Sequence, residues 1–166
     1  MRFLKPLMIG ITGLAIVILL ITSLLPNEVM TSEGIMIHAP KDTVLQAVKQ
    51  IEGWKDWNLL IGDKTPELSD SGMMWTDVKG GKNQLRVTES NDKGIVAEVM
   101  LNDQKPFTSG FSVEQKYADS VQVVWFVIEK LRWYPWEKIY GIMSGGMKTP
   151  VMKQSLLQLK SQLQAK

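Results

Sequence analysis

Apolar and polar positions divide the chain into three regimes. Leu7 to Leu25 is a run of 19 residues without charge, broken only by Gly10, Thr12, Gly13, Thr22 and Ser23. As a helix rising about 1.5 Å per residue it spans roughly 28 Å, close to a bilayer core of about 30 Å. The middle of the chain alternates. Glu28 to Ile37 predicts a strand with Ile35 and Ile37 on one face, ended by Ala39-Pro40. Lys41 to Glu52 carries Val44, Val48 and Ile51 at helical spacing, and Gly53 stops it. Trp54 to Ser71 reads as irregular. Five extended segments follow: Gly72 to Val78, Asn83 to Glu89, Ile95 to Leu101, Phe107 to Gln115 and Val121 to Glu129. The turns between them are short, so neighbouring strands run antiparallel. The third regime begins at Trp136 and is helical, with breaks expected at Ser144-Gly145-Gly146 and Thr149-Pro150. Met152, Leu156, Leu159 and Leu163 then form one apolar stripe. One apolar span, a strand, a helix, a meander and a final helix make an α+β domain, residues 27–166, behind a segment 1–26.

Alternation also assigns the faces of the sheet. Met73, Trp75, Leu85, Val87, Ala97, Val99, Leu101, Phe107, Phe111, Val113, Val121, Val123, Trp125 and Val127 share the parity of an inner face. Thr76, Arg86, Thr88, Glu98, Thr108, Ser112 and Glu114 take the other. Of the ionisable residues, Asp77, Glu89 and Asp103 keep the inner register at strand ends, which leaves the strand interiors without an acid/base pair and weakens an enzymatic reading. Val124, Phe126 and Ile128 are apolar on the outer side. Ordinary packing is the plainer account; contact with a partner or lipid is the other.

Charge sharpens the topology. The 166 residues hold 19 Lys and Arg, 17 Asp and Glu, one His and no Cys, for a net charge of +2. Arg2 and Lys5 precede the apolar run and account for that excess, leaving 17 basic against 17 acidic residues. A neutral domain gives little electrostatic support for nucleic-acid binding. The positive-inside rule then places the amino end in the cytoplasm and residues 27–166 across the membrane, in the periplasm if the cell is Gram-negative. A cleaved signal peptide has a shorter apolar core and a small-x-small site, and Ser23-Leu24-Leu25-Pro26 offers none, so an uncleaved single-pass anchor is expected. Without Cys there is no disulfide or thiol nucleophile, and one His supports no His-rich metal site. No cofactor is expected.

Catalytic motifs fail on their spacing. Gly81-Lys82 is followed by Asn83, and Thr76 stands where a P-loop needs glycine. Ser90-Asn91-Asp92-Lys93 matches a Ser-x-x-Lys pattern inside a turn, without companion motifs. His38, at a strand end, reads as a surface or turn-supporting residue.

Taken in order, several features resemble a known family. They are the apolar run ending Leu25-Pro26, Ile35-Met36-Ile37-His38-Ala39-Pro40, Trp54 and Trp57, Gly72 to Trp75, and Val87-Thr88-Glu89. Val121, Val123 and Trp125 follow, with Leu156, Leu159 and Lys160 near the end. This order resembles the membrane-anchored branch of the SRPBCC superfamily, the START/Bet v 1-like proteins often labelled polyketide cyclase-like, from residue 1 to about residue 160. The resemblance implies a helix-grip fold: a curved antiparallel sheet around a carboxyl-terminal helix, with a hydrophobic cavity between them. His38 stands where the family commonly has Asn, and the Gly-Gly and Thr-Pro breaks depart from a single final helix and suggest the cavity's mouth.

Three functions stay open. A binding module would hold a hydrophobic or lipid-like molecule among Trp75, Val87, Val99, Phe111, Trp125, Met143, Met147 and Met152. An enzyme on an apolar substrate, the less favoured reading, would need Asp77, Glu89, Asp103 or Tyr140 in that cavity. A structural or protein-binding role would draw on Arg132-Trp133-Tyr134-Pro135-Trp136, whose aromatic and basic side chains suit a membrane interface or pack over the last helix. Trp54 and Trp57 are expected to pack the irregular segment onto the sheet.

Overall fold

The structure is a computed structural model that describes residues 4–62, 64–77, 80–102 and 104–164. Arg2, Asp103 and Val78, the last residue of the extended segment expected from Gly72, lie outside the described residues. The elements are α1 (Leu4–Leu24), β1 (Glu28–Ile37), α2 (Lys41–Lys49), a 3₁₀ turn (Ile51–Asp56), β2 (Glu67–Ser69), β3 (Gly72–Thr76), β4 (Lys82–Asn91), β5 (Gly94–Leu101), β6 (Phe107–Tyr117), β7 (Ser120–Lys130) and α3 (Pro135–Gln164). All strands join one antiparallel sheet in the order β1-β7-β6-β5-β4-β3-β2. The meander from β2 to β7 follows from its tight turns. The first strand then closes the order beside the last, from Glu28 opposite Lys130 to Ile37 opposite Val121.

The inner face carries the core. Met73, Trp75, Leu85, Ala97, Val99, Phe111, Val113, Val121, Val123, Trp125 and Val127 are buried as their parity requires, with Val87, Leu101 and Phe107 packed at the margins. Val44 and Val48 of α2 and Met152, Leu156 and Leu159 of α3 close over them. Each such side chain contributes about 1.5–3 kcal/mol when fully buried. On the outer face, Phe126 lies opposite Gly110 in the register of β6 and β7, and a Cβ at Gly110 would stand 2.5 Å from its ring. The half-buried state of Phe126 comes from this strand-to-strand contact, which is ordinary packing.

Three elements differ from expectation. α2 ends at Lys49, and the Ile51–Asp56 turn carries Gly53 inside it, because the chain tightens to bury Ile51 and Trp54. β2 is a further strand, short and wholly exposed, with no alternation to announce it. Most consequentially, α3 runs unbroken for 30 residues with Pro150 inside it. Of the glycines that suggested a break, Gly145 permits close approach, as does Gly141 one turn earlier, while Gly146 faces open space. Gly141 sits against Leu131, and a Cβ at Gly145 would come within 2.9 Å of Thr31 Oγ1 on β1. Proline removes one helical hydrogen bond, to the exposed Gly146 carbonyl, while the Thr149 hydroxyl donates to the Gly145 carbonyl at 3.3 Å.

α1 is 21 residues long, about 31 Å, and its apolar side chains are exposed along its length. By length and composition it is apolar enough to cross a membrane. Thr22 and Ser23 donate their hydroxyls to the Ile18 and Leu20 carbonyls at 2.7 Å, so these two hydroxyls are satisfied within the helix.

The corner between β7 and α3 sets where the long helix lies. The Leu131 N–H donates to the Asn27 carbonyl at 2.7 Å. Glu137, in the first turn of α3, accepts from the Arg132 N–H at 3.1 Å and from Lys105 Nζ at 3.3 Å. Desolvation raises the Glu137 carboxyl, but these two donors outweigh it and hold the group below its ordinary range. A carboxyl lowered by folding contributes stability above its unfolded value, and that contribution is lost as pH falls through the folded one. Glu137→Gln should therefore be less stable than the wild type near neutrality. In chemical denaturation the gap should narrow below about pH 4.3 and close in stronger acid; a gap unchanged with pH would contradict this. Gly110→Ala should cost about 1–3 kcal/mol in the same assay, because the Phe126 ring and the Ile95 carbonyl leave no room for a methyl group.

Candidate functional site

The interior between sheet and α3 has a filled half and an open half. The filled half is aromatic. Trp54 and Trp57, from the segment after α2, meet Phe111 edge-on, with ring centres 5.2 Å and 5.3 Å away. Phe111 in turn meets Trp125 at 5.0 Å. Such pairs add about 0.5–1.5 kcal/mol each beyond area burial. The indole N–H of Trp54 donates to the Val48 carbonyl and that of Trp125 to Ser109 Oγ, both at 2.8 Å. Trp54 and Trp57 thus pack their segment onto the sheet, and the Leu59 N–H fastens the next turn to α3 through Ser155 Oγ at 3.0 Å.

The open half is a cavity of about 270 Å³ on the other side of Trp125. Its walls are Trp125, Val127, Phe107 and Leu101 from the sheet, Leu60 from the turn, and Val151 and Met152 from α3. Polar groups gather at one end. The Lys148 ammonium pairs with Glu129, whose carboxylate also accepts from Ser144 Oγ at 3.3 Å, and it lies 5.7 Å from the centre of the Phe107 ring. Tyr140 and Met147 also line the cavity yet are largely exposed, so they form its rim. The stretch expected to break the helix therefore borders the opening, within a continuous helix. An apolar chamber with a few polar groups at its mouth can take up an apolar molecule and orient one polar end.

Of the eight residues proposed from sequence, Trp125, Met147 and Met152 meet in this cavity. Val99 and Phe111 are buried in the packed core. Val87 borders an open groove beneath α2, and Trp75 a depression along β3 and β4. The Trp75 indole N–H is buried and has no partner among the described residues. Met143 is exposed on the outer side of α3. Among the ionisable candidates, Tyr140 reaches the cavity. Asp77 instead closes the β3–β4 turn by accepting from the Gly81 N–H at 2.8 Å. Glu89 is exposed beyond a bulge in β4, and Asp103 lies outside the described residues. His38 is exposed and supports a turn, its Nδ1 lying 2.6 Å from Ser120 Oγ.

Glu129 and Lys148 escaped the sequence reading. Glu129 continues the inner parity of Val123, Trp125 and Val127, so that parity, carried one step further, would have found it. Lys148 was hidden by the expected helix break. No cluster of three or more metal-ligating side chains occurs among the described residues.

Sequence comparison finds no matching family model and no similar curated protein. Structure comparison is informative. A START superfamily protein from Mycobacterium smegmatis is 16% identical, with 82% of this chain and 97% of that one aligned at a TM-score of 0.54. The Aha1 dimer from Colwellia psychrerythraea is 20% identical, with 81% and 96% aligned at 0.55. A conserved protein from Geobacillus kaustophilus is 12% identical, with 82% and 96% aligned at 0.62. At these identities the likeness concerns the fold. An antiparallel sheet wrapped on a long carboxyl-terminal helix, with a chamber between them, is the START/Bet v 1-like helix-grip fold of the SRPBCC and Aha1-like proteins, and this chain has it.

Proposed function

We propose that this protein is a membrane-anchored binding module that holds a hydrophobic, lipid-like molecule between its sheet and α3. The observation that carries the reading is the apolar chamber behind Trp125, with Glu129, Lys148 and Tyr140 gathered at one end. Its volume of about 270 Å³ is just under the range of roughly 300–1,000 Å³ typical of drug-sized ligands. That size suits one acyl chain or a compact ring system. The buried Lys148 ammonium, paired with Glu129, suits a carboxylate or ester end, while the Trp125 and Met152 walls take the hydrocarbon.

In this reading residues 7–25 span the bilayer, with residues 1–26 as cytoplasmic end and anchor and residues 27–166 as the ligand-binding domain on the far side. The exposed apolar surface of α1 supports the span, and Lys5 ahead of it supports the orientation.

The test is native mass spectrometry of the full chain released gently from detergent, with and without added palmitate. The wild type should carry one apolar molecule or take up palmitate. Val127→Phe, which fills the chamber, should lose most of that occupancy at an overpacking cost of about 1–3 kcal/mol. An empty wild type that ignores palmitate, or a Val127→Phe variant loaded as fully as the wild type, would contradict the reading.

A further inference from the structure

The outward face of α3 changes character along the helix. In its first half the exposed residues include Trp136, Ile139, Tyr140, Ile142, Met143 and Met147, with Met143 at 70% exposure. None is charged. The charged residues of the same turns are drawn elsewhere: Glu137 to the Arg132 N–H and Lys105, Lys138 inward to 3% exposure, and Lys148 to Glu129. From Lys153 onward the exposed positions are Lys153, Gln154, Gln158, Ser161, Gln162 and Gln164, with Leu157 the apolar one. A patch of large apolar side chains confined to one half of a helix marks a surface that meets something other than water.

What it meets is indicated by the helix on which it rests. Lys138 Nζ donates to the Thr22 carbonyl at 2.9 Å and to the Leu25 carbonyl at 2.8 Å. The Thr22 carbonyl, which also accepts from the Leu25 N–H at 3.2 Å, is in the last turn of α1 and the Leu25 carbonyl just past its end, where a helix carries partial negative charge. The buried ammonium thus fastens the apolar half of α3 to the point where the apolar span ends. The loop before α3 adds Trp133 and Tyr134, which stack in series with Trp136 of the first turn at ring-centre distances of 4.8 Å and 5.0 Å, and Lys130 and Arg132 are exposed beside them. Aromatic rings interleaved with basic residues at the end of a span fit the headgroup zone of anionic phospholipids. Tyr140 and Met147 belong both to this face and to the cavity rim, so the opening lies on the same side.

We propose, resting on the anchored reading above, that the first half of α3 lies in the headgroup zone of the leaflet where α1 ends. The cavity opens onto that leaflet, and its ligand is an acyl chain drawn from the bilayer rather than from solution.

The experiment uses the full chain in phosphatidylcholine–phosphatidylglycerol vesicles whose acyl chains carry bromine, which quenches tryptophan on contact. Trp54, Trp57 and Trp75 are buried outside the cavity, so contact quenching reports on Trp133 and Trp136 at the surface and on Trp125 where a brominated chain enters the cavity, the last being the part that survives Trp133→Phe/Trp136→Phe. Emission should be quenched in the wild type, and more than half of that quenching should vanish in Trp133→Phe/Trp136→Phe. Ile139→Glu/Met143→Glu should remain inserted through α1, scored by resistance to alkaline extraction, yet lose both the quenching and the uptake of bilayer acyl chains. If alkali extracts the wild-type chain, the anchored reading fails and this proposal falls with it. If the chain resists extraction but Trp133 and Trp136 are unquenched, whether facing water or covered by a second copy seen as a dimer in native mass spectra, the docking proposal alone is overturned. Quenching and acyl uptake that survive Ile139→Glu/Met143→Glu overturn it as well.

Discussion

Trp125 is the contact on which the interior depends. One side of its ring packs on Phe111 and, through it, on Trp54 and Trp57; another faces the chamber. Its N–H is held by Ser109, so the ring is pinned within the sheet rather than free to rotate into the empty half. A seven-stranded inner face is wider than one helix can cover. The segment after α2 fills the excess at one end with two tryptophans, and nothing comparable fills the other. The chamber is thus the consequence of covering a wide sheet with one long helix and one short one. Trp125 is the wall between the two solutions.

The long helix keeps its place by being thin where it must come close. Gly141 and Gly145 let it settle against Leu131 and Thr31, and Glu137 ties its first turn to the end of β7. Close approach at this end, together with burial of Met152, Leu156 and Leu159 further along, props α3 over the chamber instead of letting it collapse inward. Lys138 then connects the same turns to the last carbonyls of α1. A helix braced against the sheet and fastened to an apolar span cannot shift far without breaking charge-assisted bonds at one end or the other.

Much of this was legible in the chain because alternation is a strong signal wherever one face of a sheet is buried. The parity of Met73 and Trp75, Val99, Phe111, and Val121 to Val127 placed the core residue by residue, and the stripe from Met152 to Leu163 placed the end of α3. The continuous helix was not legible. Local propensity reads Gly145, Gly146 and Pro150 as breakers, whereas the helix needs Gly145 for contact with β1, a partner far away in sequence. β2 was missed because an exposed three-residue edge has no buried face to impose alternation. The site was harder still. Trp125, Met147 and Met152 line the chamber, while Val99 and Phe111, of the same parity, are packed tight. Parity tells which side a residue faces; it does not tell whether the space there is filled, since that depends on Trp54 and Trp57 arriving from another segment.

The most direct measurement of the central claim is a search for contact between lipid hydrocarbon and the chamber wall. The full chain in nanodiscs, carbon-13 labelled at methionine methyl groups, can be examined by NMR for Overhauser contacts to acyl-chain protons. The account predicts contacts from the acyl chain to the methyl of Met152, which is 1% exposed and therefore reachable only from within the chamber, as well as to that of Met147 at the rim. Acyl contacts at Met147 with none at Met152 would mean that hydrocarbon reaches the surface of the domain and never enters it, and would contradict the claim.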